Sequence, residues 1–371
     1  MGVALYRCCP LLALAAAACA NGDDGSTAQR AGRPSSLDRS AIAPDTRAGV
    51  VFFPRIGNPS DDTHGSRGPG VVLMNGGLRP ASAITFMHDA VDKGVAADVV
   101  VLCTHGDDVY STQLYAMAPF NSVQTVLVPP ESSADDVALV AHRLESAEIV
   151  FLADGDTGAY ASWTGGPLAA AVTALFDRGG VVGASGAGAA ALGTLMLTAD
   201  VDSATALTDP YAASIHLVPG PFALPILRGT LVDLRVRAAD HLGRLAALTA
   251  RAIADGSAGT SAAAAMGIGL DDGAAIGINR SGTATLLLND AGAAGQAWLV
   301  HGGAVDRIVA RQPLIWRAAK ITRFDAPGES LVLSAGCGSA FSYEVAIDGS
   351  ATPAFTPADP YEAMGTATLC P

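Results

Sequence analysis

Apolar residues fall in short runs at 50–53, 71–74, 99–103, 123–128, 148–153 and 180–183, most of them closed by Gly, Asp, Asn or Thr. Between several of these runs, residues 81–93, 135–144, 168–178 and 187–196 repeat apolar positions at helical spacing; Ile84, Met87, Ala90 and Val91 share one face. Strands that are apolar throughout and alternate with helices predict a sheet covered on both faces. The expected fold is a three-layer α/β/α sandwich with a mostly parallel, doubly wound sheet. The second half is less regular. It predicts a strand at 229–236, a helix at 240–253 with Leu242, Leu245, Leu248 and Ile253 on its apolar face, and hairpin strands at 265–270, 274–279, 284–288 and 297–300. From about residue 325, strand-like pieces between Gly and Pro predict a β-rich C-terminal extension.

The first residues carry an address rather than a fold. Arg7 precedes an apolar stretch at 11–18, which suits a signal peptide and is too short to span a bilayer. Leu14 to Cys19 resembles a bacterial lipobox with Cys19 as the lipidated residue. Ala-x-Ala cleavage with plain secretion is the competing reading, and an uncleaved segment the third. Residues 19–48 are polar and rich in Ser, Gly, Asp and Pro, as a tether would be. The organisation expected is a signal peptide (1–18), a tether (19–48), a main domain (49–335) and a C-terminal tail (336–371). The product is exported, as a cell-envelope lipoprotein or a secreted protein, touching membrane only through the anchor.

Composition narrows the partners. The formal net charge is −13 and the basic residues are mostly Arg, so the footprint that nucleic acid requires is absent. Aromatics are only 5%, which leaves Ala, Val, Leu and Ile to build the core. No Cys-x-x-Cys or His-x-x-x-His occurs, and Asp271-Asp272-Gly273 lacks the spacing of a calcium loop; no metal and no cofactor is expected. Cys103 lies in an apolar run and reads as a small buried hydrophobe. Cys337 and Cys370 are available to pair in an oxidising compartment.

Glycine-rich turns follow three predicted strands: Asn75-Gly76-Gly77, Asp154-Gly155-Asp156 and Gly183 to Gly188. Carboxyl ends of parallel strands share one edge, where ligands bind. Glycine lets backbone N–H groups approach a ligand closely there, the geometry of an oxyanion hole or anion nest.

Residues 148–193 resemble the cyanophycinase-like serine peptidases, relatives of dipeptidase E. The family shows a strand ending Gly-Gly-Asp-Gln, then Tyr and Trp, then Pro-Leu opening a helix, then Arg-Gly-Gly-Val-Val-Gly-Gly-Thr-Ser-Ala-Gly. The counterparts are Asp154 to Thr157, Tyr160, Trp163, Pro167-Leu168 and Arg178 to Gly188. Further matches are Met74 to Gly77, Ala206 to Tyr211, Asp233 to Leu245 and Gly267 to Asp272, so the likeness covers roughly residues 49–335.

The resemblance implies a peptidase with a nucleophilic Ser, a His base and an orienting carboxylate. Alignment without gaps puts Gly186 in the nucleophile slot, Ser185 in the Thr slot before it, Arg235 in the His slot and Thr205 near the acid slot. Glycine has no attacking atom, and an arginine, whose pKa lies above about 12, is no base near neutrality. The first expectation is therefore a catalytically inactive protein that keeps a pocket for a peptide or amino-acid-like ligand. That pocket is expected at Gly76, Gly77, Asp154, Gly155, Asp156, Gly186, Ala187 and Arg235. The second is an active serine hydrolase using Ser185 and a relocated His such as His105; the plainer reading has Ser185 capping the next helix. The third is a structural or interaction protein of the cell envelope. Arg235 either grips a ligand or pairs with a carboxylate such as Asp233. Asp154 and Asp156 either attract a cationic ligand or stabilise their turn, and His241 reads as a helix-terminal or surface residue. Oligomeric state is left open.

Overall fold

The computed structural model describes residues 45–47, 49–60, 68–76, 80–91, 97–257, 265–288 and 295–371. The signal peptide, Cys19, Gly77 and all of the tether but 45–47 lie outside the described residues.

The apolar runs of the first half become β1 (Val50–Phe52), β2 (Gly70–Met74), β3 (Asp98–Cys103), β4 (Ser122–Leu127), β5 (Ile149–Leu152) and β6 (Val181–Ser185). Helices α1 (Ala81–Val91), α2 (Ser111–Met117), α3 (Ala134–Arg143), α4 (Thr157–Ala161) and α5 (Pro167–Asp177) lie between them in sequence. The strands lie in the order β1-β4-β3-β5-β6-β2, and the five from β4 to β2 are mutually parallel. Each central strand is apolar on both faces because both are covered. Val72, Val101 and Phe151 pack with α1 and α2, whereas Val100, Val150 and Val182 pack with α3 and α5. This is the three-layer α/β/α sandwich that the periodicity predicts.

The helix after β6 is shorter than its alanine run suggests. α6 (Ala187–Ala191) stops early, and the chain enters β7 (Leu195–Leu197) instead of continuing to residue 196. At the turn between them, a Cβ on Gly193 would meet the Leu195 carbonyl oxygen at 2.7 Å, so the close reversal needs glycine. Helix propensity loses here to strand pairing, with Leu231 beside Leu195.

The second half supplies α7 (Ser203–Thr208), β8 (Thr230–Leu234), α8 (Leu242–Ala254), β9 (Met266–Leu270), β10 (Ala275–Ile278), β11 (Thr283–Leu287), β12 (Ala297–Gly302), β13 (Ile315–Phe324), β14 (Ser330–Val332) and β15 (Phe341–Asp348). β10, β11 and β14 extend the first sheet antiparallel beyond β2. β7-β8-β9-β12-β13-β15 form a second sheet, parallel from β7 to β9 and antiparallel thereafter. α8 buries Leu245 and Leu248 with Leu231, Val300 and Ile321 on one face of this sheet. On the other face Ile268 and Leu299 share a core with Ile276 and Leu286 of the first.

Residues 45–47, expected within the tether, form a strand that pairs antiparallel with β1. The C-terminal residues are strand-rich as expected, and β15 pairs with β13 through Tyr343, Val345 and Ile347, which alternate into the core. Strand periodicity that is incomplete by itself is completed by a partner distant in sequence.

Candidate functional site

The carboxyl edge of the parallel strands gathers the turns after β2, β3, β5 and β6. At the end of β6 the chain reverses at Gly186, with φ +56° and ψ −127°, and α6 begins at Ala187. That left-handed φ suits glycine, and strand–sharp turn–helix is the elbow geometry that presents a nucleophile in unrelated hydrolases. The turn is held by the Gly186 N–H donating to the Met74 carbonyl at 3.1 Å.

The turn after β5 fills the space in front of this elbow. Asp154 Oδ1 accepts from the N–H groups of Gly155 and Ala187, both at 2.9 Å. An ideal Cβ on residue 186 would lie 1.9 Å from that oxygen and 2.1 Å from Asp154 Cγ. The N–H of the residue after a nucleophile is an oxyanion-hole donor in elbow hydrolases. Here that donor already holds a carboxylate, which would repel a developing oxyanion. Gly155 is required by the same packing: a Cβ there would lie 2.6 Å from Thr104 Oγ1 and 3.5 Å from His105 Cε1. Asp156 accepts from the Ala159 N–H at 2.7 Å and caps α4, so it acts as a turn-stabilising residue.

Ser185 is fully buried, and its Oγ has no hydrogen-bond partner among the described residues. It shares a strand face with Val181 and with Gly183, whose Cβ would meet Met87 and Phe151 in the α1 layer. The expected helix cap is therefore absent: Gly186 occupies the cap position of α6, with no side-chain bond. His105 does reach the same edge and is exposed, but its Nδ1 approaches Thr104 Oγ1 at 3.4 Å and not a serine.

Arg235 follows β8 in a left-handed conformation, φ +54°, with its N–H donating to Asn75 Oδ1 at 2.8 Å. Its side chain is exposed and has no partner among the described residues. The expected pairing with Asp233 does not form. Asp233 points from within β8 and takes both Nε and Nη2 of buried Arg244, at 2.9 and 2.6 Å. Thr205 lies in α7, where its N–H donates to Asp202 at 2.6 Å, and no contact brings it to the elbow. His241 sits at the N-terminal end of α8, with Nδ1 3.0 Å from the Leu234 carbonyl oxygen and 2.8 Å from Arg244 Nη2. Gly76 borders open space, since a Cβ there would touch nothing within 4 Å.

Two features were not singled out in the sequence. Asn75 ties three edge turns together, accepting from Arg235 N–H and donating to Asp272 Oδ1 at 2.5 Å. Its position directly after a strand and before Gly-Gly is the signal that marks it. The second is a cleft of about 180 Å³ beside α6, lined among others by Thr157, Ala190, Thr198, Asp200, Asp233 and Arg244. Arg244 falls within the matched stretch from Asp233 to Leu245, but only the tertiary structure reveals its bonds to Asp233 and Asp200.

Cys337 and Cys370 are joined by a disulfide. Cys103 is free and buried; burial, helped by Asp108, pushes its thiol up to about 12, so it is inert near neutrality. Among the described residues no cluster fit to hold a metal is present, and no helix is long and apolar enough to cross a membrane.

No protein family matches the chain, and no curated protein does. Among solved structures, it is similar to a peptidase from an acI-B1 Actinobacterium, at 14% identity and a TM-score of 0.45, over 72% of this chain and 98% of that one. It is also similar to a protein provisionally described as a peptidase E from Listeria monocytogenes EGD-e, at 8% identity and a TM-score of 0.36, over 57% of this chain and 94% of that one.

Proposed function

We propose that this protein is an exported, lipid-anchored relative of the cyanophycinase-like peptidases that no longer hydrolyses peptides and binds a peptide or amino-acid-like ligand. The observation that carries the reading is the Asp154 carboxylate seated against Gly186, with the Ala187 N–H as its donor. The slot that would need a nucleophile has no side chain, and the adjoining donor is occupied. Against a working hydrolase also stand the burial of Ser185 and the absence of an imidazole bonded to it.

The ligand class follows from charge. Asp154 is exposed, and its carboxylate can meet an ammonium group. Arg235 presents a guanidinium that is unpaired among the described residues, the usual partner of a carboxylate. A continuous path joins them, from Arg235 through Asn75 and Met74 to Gly186 and Asp154. One anion and one cation on a single edge suit a zwitterion, which is what a free amino acid or short peptide is.

The test is a fluorophosphonate probe together with a thermal-shift screen of Arg- and Asp-containing dipeptides on the mature protein. The reading expects no labelling and a raised midpoint with at least one dipeptide, since a binder of the native state stabilises it. Labelling lost in Ser185→Ala would instead establish a serine hydrolase. No shift with any dipeptide would leave the cell-envelope structural role as the better account. Incorporation of labelled palmitate that persists in Cys19→Ser would overturn the anchor.

A further inference from the structure

The turn that carries Arg235 runs from the end of β8 to the start of α8 and is unusual in its backbone. Arg235 and Asp240 both hold φ +54°, in the left-handed region that side chains disfavour. Two such residues within one short turn persist only where the surroundings over-determine them. Part of that determination comes from the C-terminal residues, far away in sequence. Tyr361 Oη accepts from the Leu242 N–H at 3.2 Å and lies 3.0 Å from both the Val236 carbonyl oxygen and Asp240 Oδ1, which share its one proton. Burial pushes this phenol well above its ordinary pKa, so it stays a donor. Glu362 pairs with Arg237, whose guanidinium lies over the Tyr361 ring at 5.9 Å.

The C-terminal segment is itself held firmly. Arg323 donates to the carbonyls of Tyr361 and Ala363, and Tyr343 Oη donates to the Pro360 carbonyl at 2.6 Å. The Tyr361 ring packs edge-on against Trp298, with centroids 5.9 Å apart, and the chain end beyond is fastened by the Cys337–Cys370 disulfide.

We infer that residues 359–363 are a clamp that positions Arg235 for ligand by fixing the turn between β8 and α8, with Tyr361 as the positioning residue. The assignment of ligand contact to Arg235 rests on the function proposed above; the clamp itself does not. Tyr361 touches no ligand. It acts through the backbone at Val236 and Leu242, while Asn75 holds the other side of the turn.

Tyr361→Phe keeps the ring and deletes the oxygen. In the full mature chain without ligand, hydrogen exchange at residues 235–242 should quicken roughly fivefold or more, the effect of one lost hydrogen bond. Protection in β13 and in the remainder of α8 should stay as in the wild type. Unchanged exchange at 235–242, or equal quickening everywhere, would overturn the clamp. If Tyr361→Phe does not fold, Glu362→Ala supplies the same test by removing the exposed pair with Arg237 that joins the clamp to the turn; selective quickening at 235–242 supports the clamp, and its absence overturns it. Titration with an Asp-Arg dipeptide then separates the two claims. No binding by the wild type defeats the proposed ligand, yet leaves the exchange result to decide the clamp.

Discussion

Asp154 and Gly186 exclude each other's alternatives: the Asp154 carboxylate occupies the volume in which any side chain on residue 186 would begin. Gly186→Ser alone should cost about 2–4 kcal/mol, because it meets the carboxylate and puts a side chain in a strained conformation. In the Asp154→Gly background the cost should fall by at least about 1 kcal/mol, measured as a double-mutant cycle from urea midpoints. Simple additivity would show that the two residues do not compete for this space.

Ser185→Ala should leave stability unchanged or raise it by up to about 1 kcal/mol, since it removes a buried hydroxyl without a partner. Urea unfolding measures this directly. A loss of more than about 1 kcal/mol would mean that the hydroxyl makes a bond in solution.

Arg244→Met should destabilise by about 3–5 kcal/mol, because it strands the buried Asp233 carboxylate beneath α8. Arg244→Lys should recover only part of this, since an ammonium cannot reproduce the two-pronged contact. Chemical denaturation of both variants checks the order.

Arg235→Gly should raise stability by about 1 kcal/mol, because glycine accepts the left-handed backbone freely. The same variant should weaken binding of any dipeptide found in the thermal-shift screen. A gain in stability with undiminished affinity would remove Arg235 from the ligand site.

His301 is kept neutral to a lower pH than a surface histidine. Burial, aided by the positive charge of Lys320, pushes it down to about 4. Between about pH 6.5 and 4 the unfolded chain binds a proton there that the folded chain does not, so stability falls as the pH falls through this window. The contribution is on the order of 3 kcal/mol and is complete by about pH 4. Comparing urea midpoints at pH 7 and pH 4.5 for wild type and His301→Gln isolates it from the carboxylates; the wild type should lose more.

Local sequence decided which segments are strands and which turns share an edge. Runs such as residues 99–103 are apolar throughout because both faces of a parallel sheet are covered, and parallel strands place all their carboxyl ends together. The want of a side chain at the sharp turn was likewise readable, since Gly186 has none in any fold. What packs against that glycine was not readable. Asp154 reaches the Ala187 N–H across 33 residues only because β5 and β6 lie side by side, and lateral strand order is not written in periodicity. For the same reason Asp233 chose Arg244 rather than its near neighbour Arg235, and the last residues joined the second sheet rather than trailing from it. Hydrophobic spacing reports how deeply each residue is buried, whereas polar partnerships depend on which loops the packed sheets bring within about 3 Å of each other.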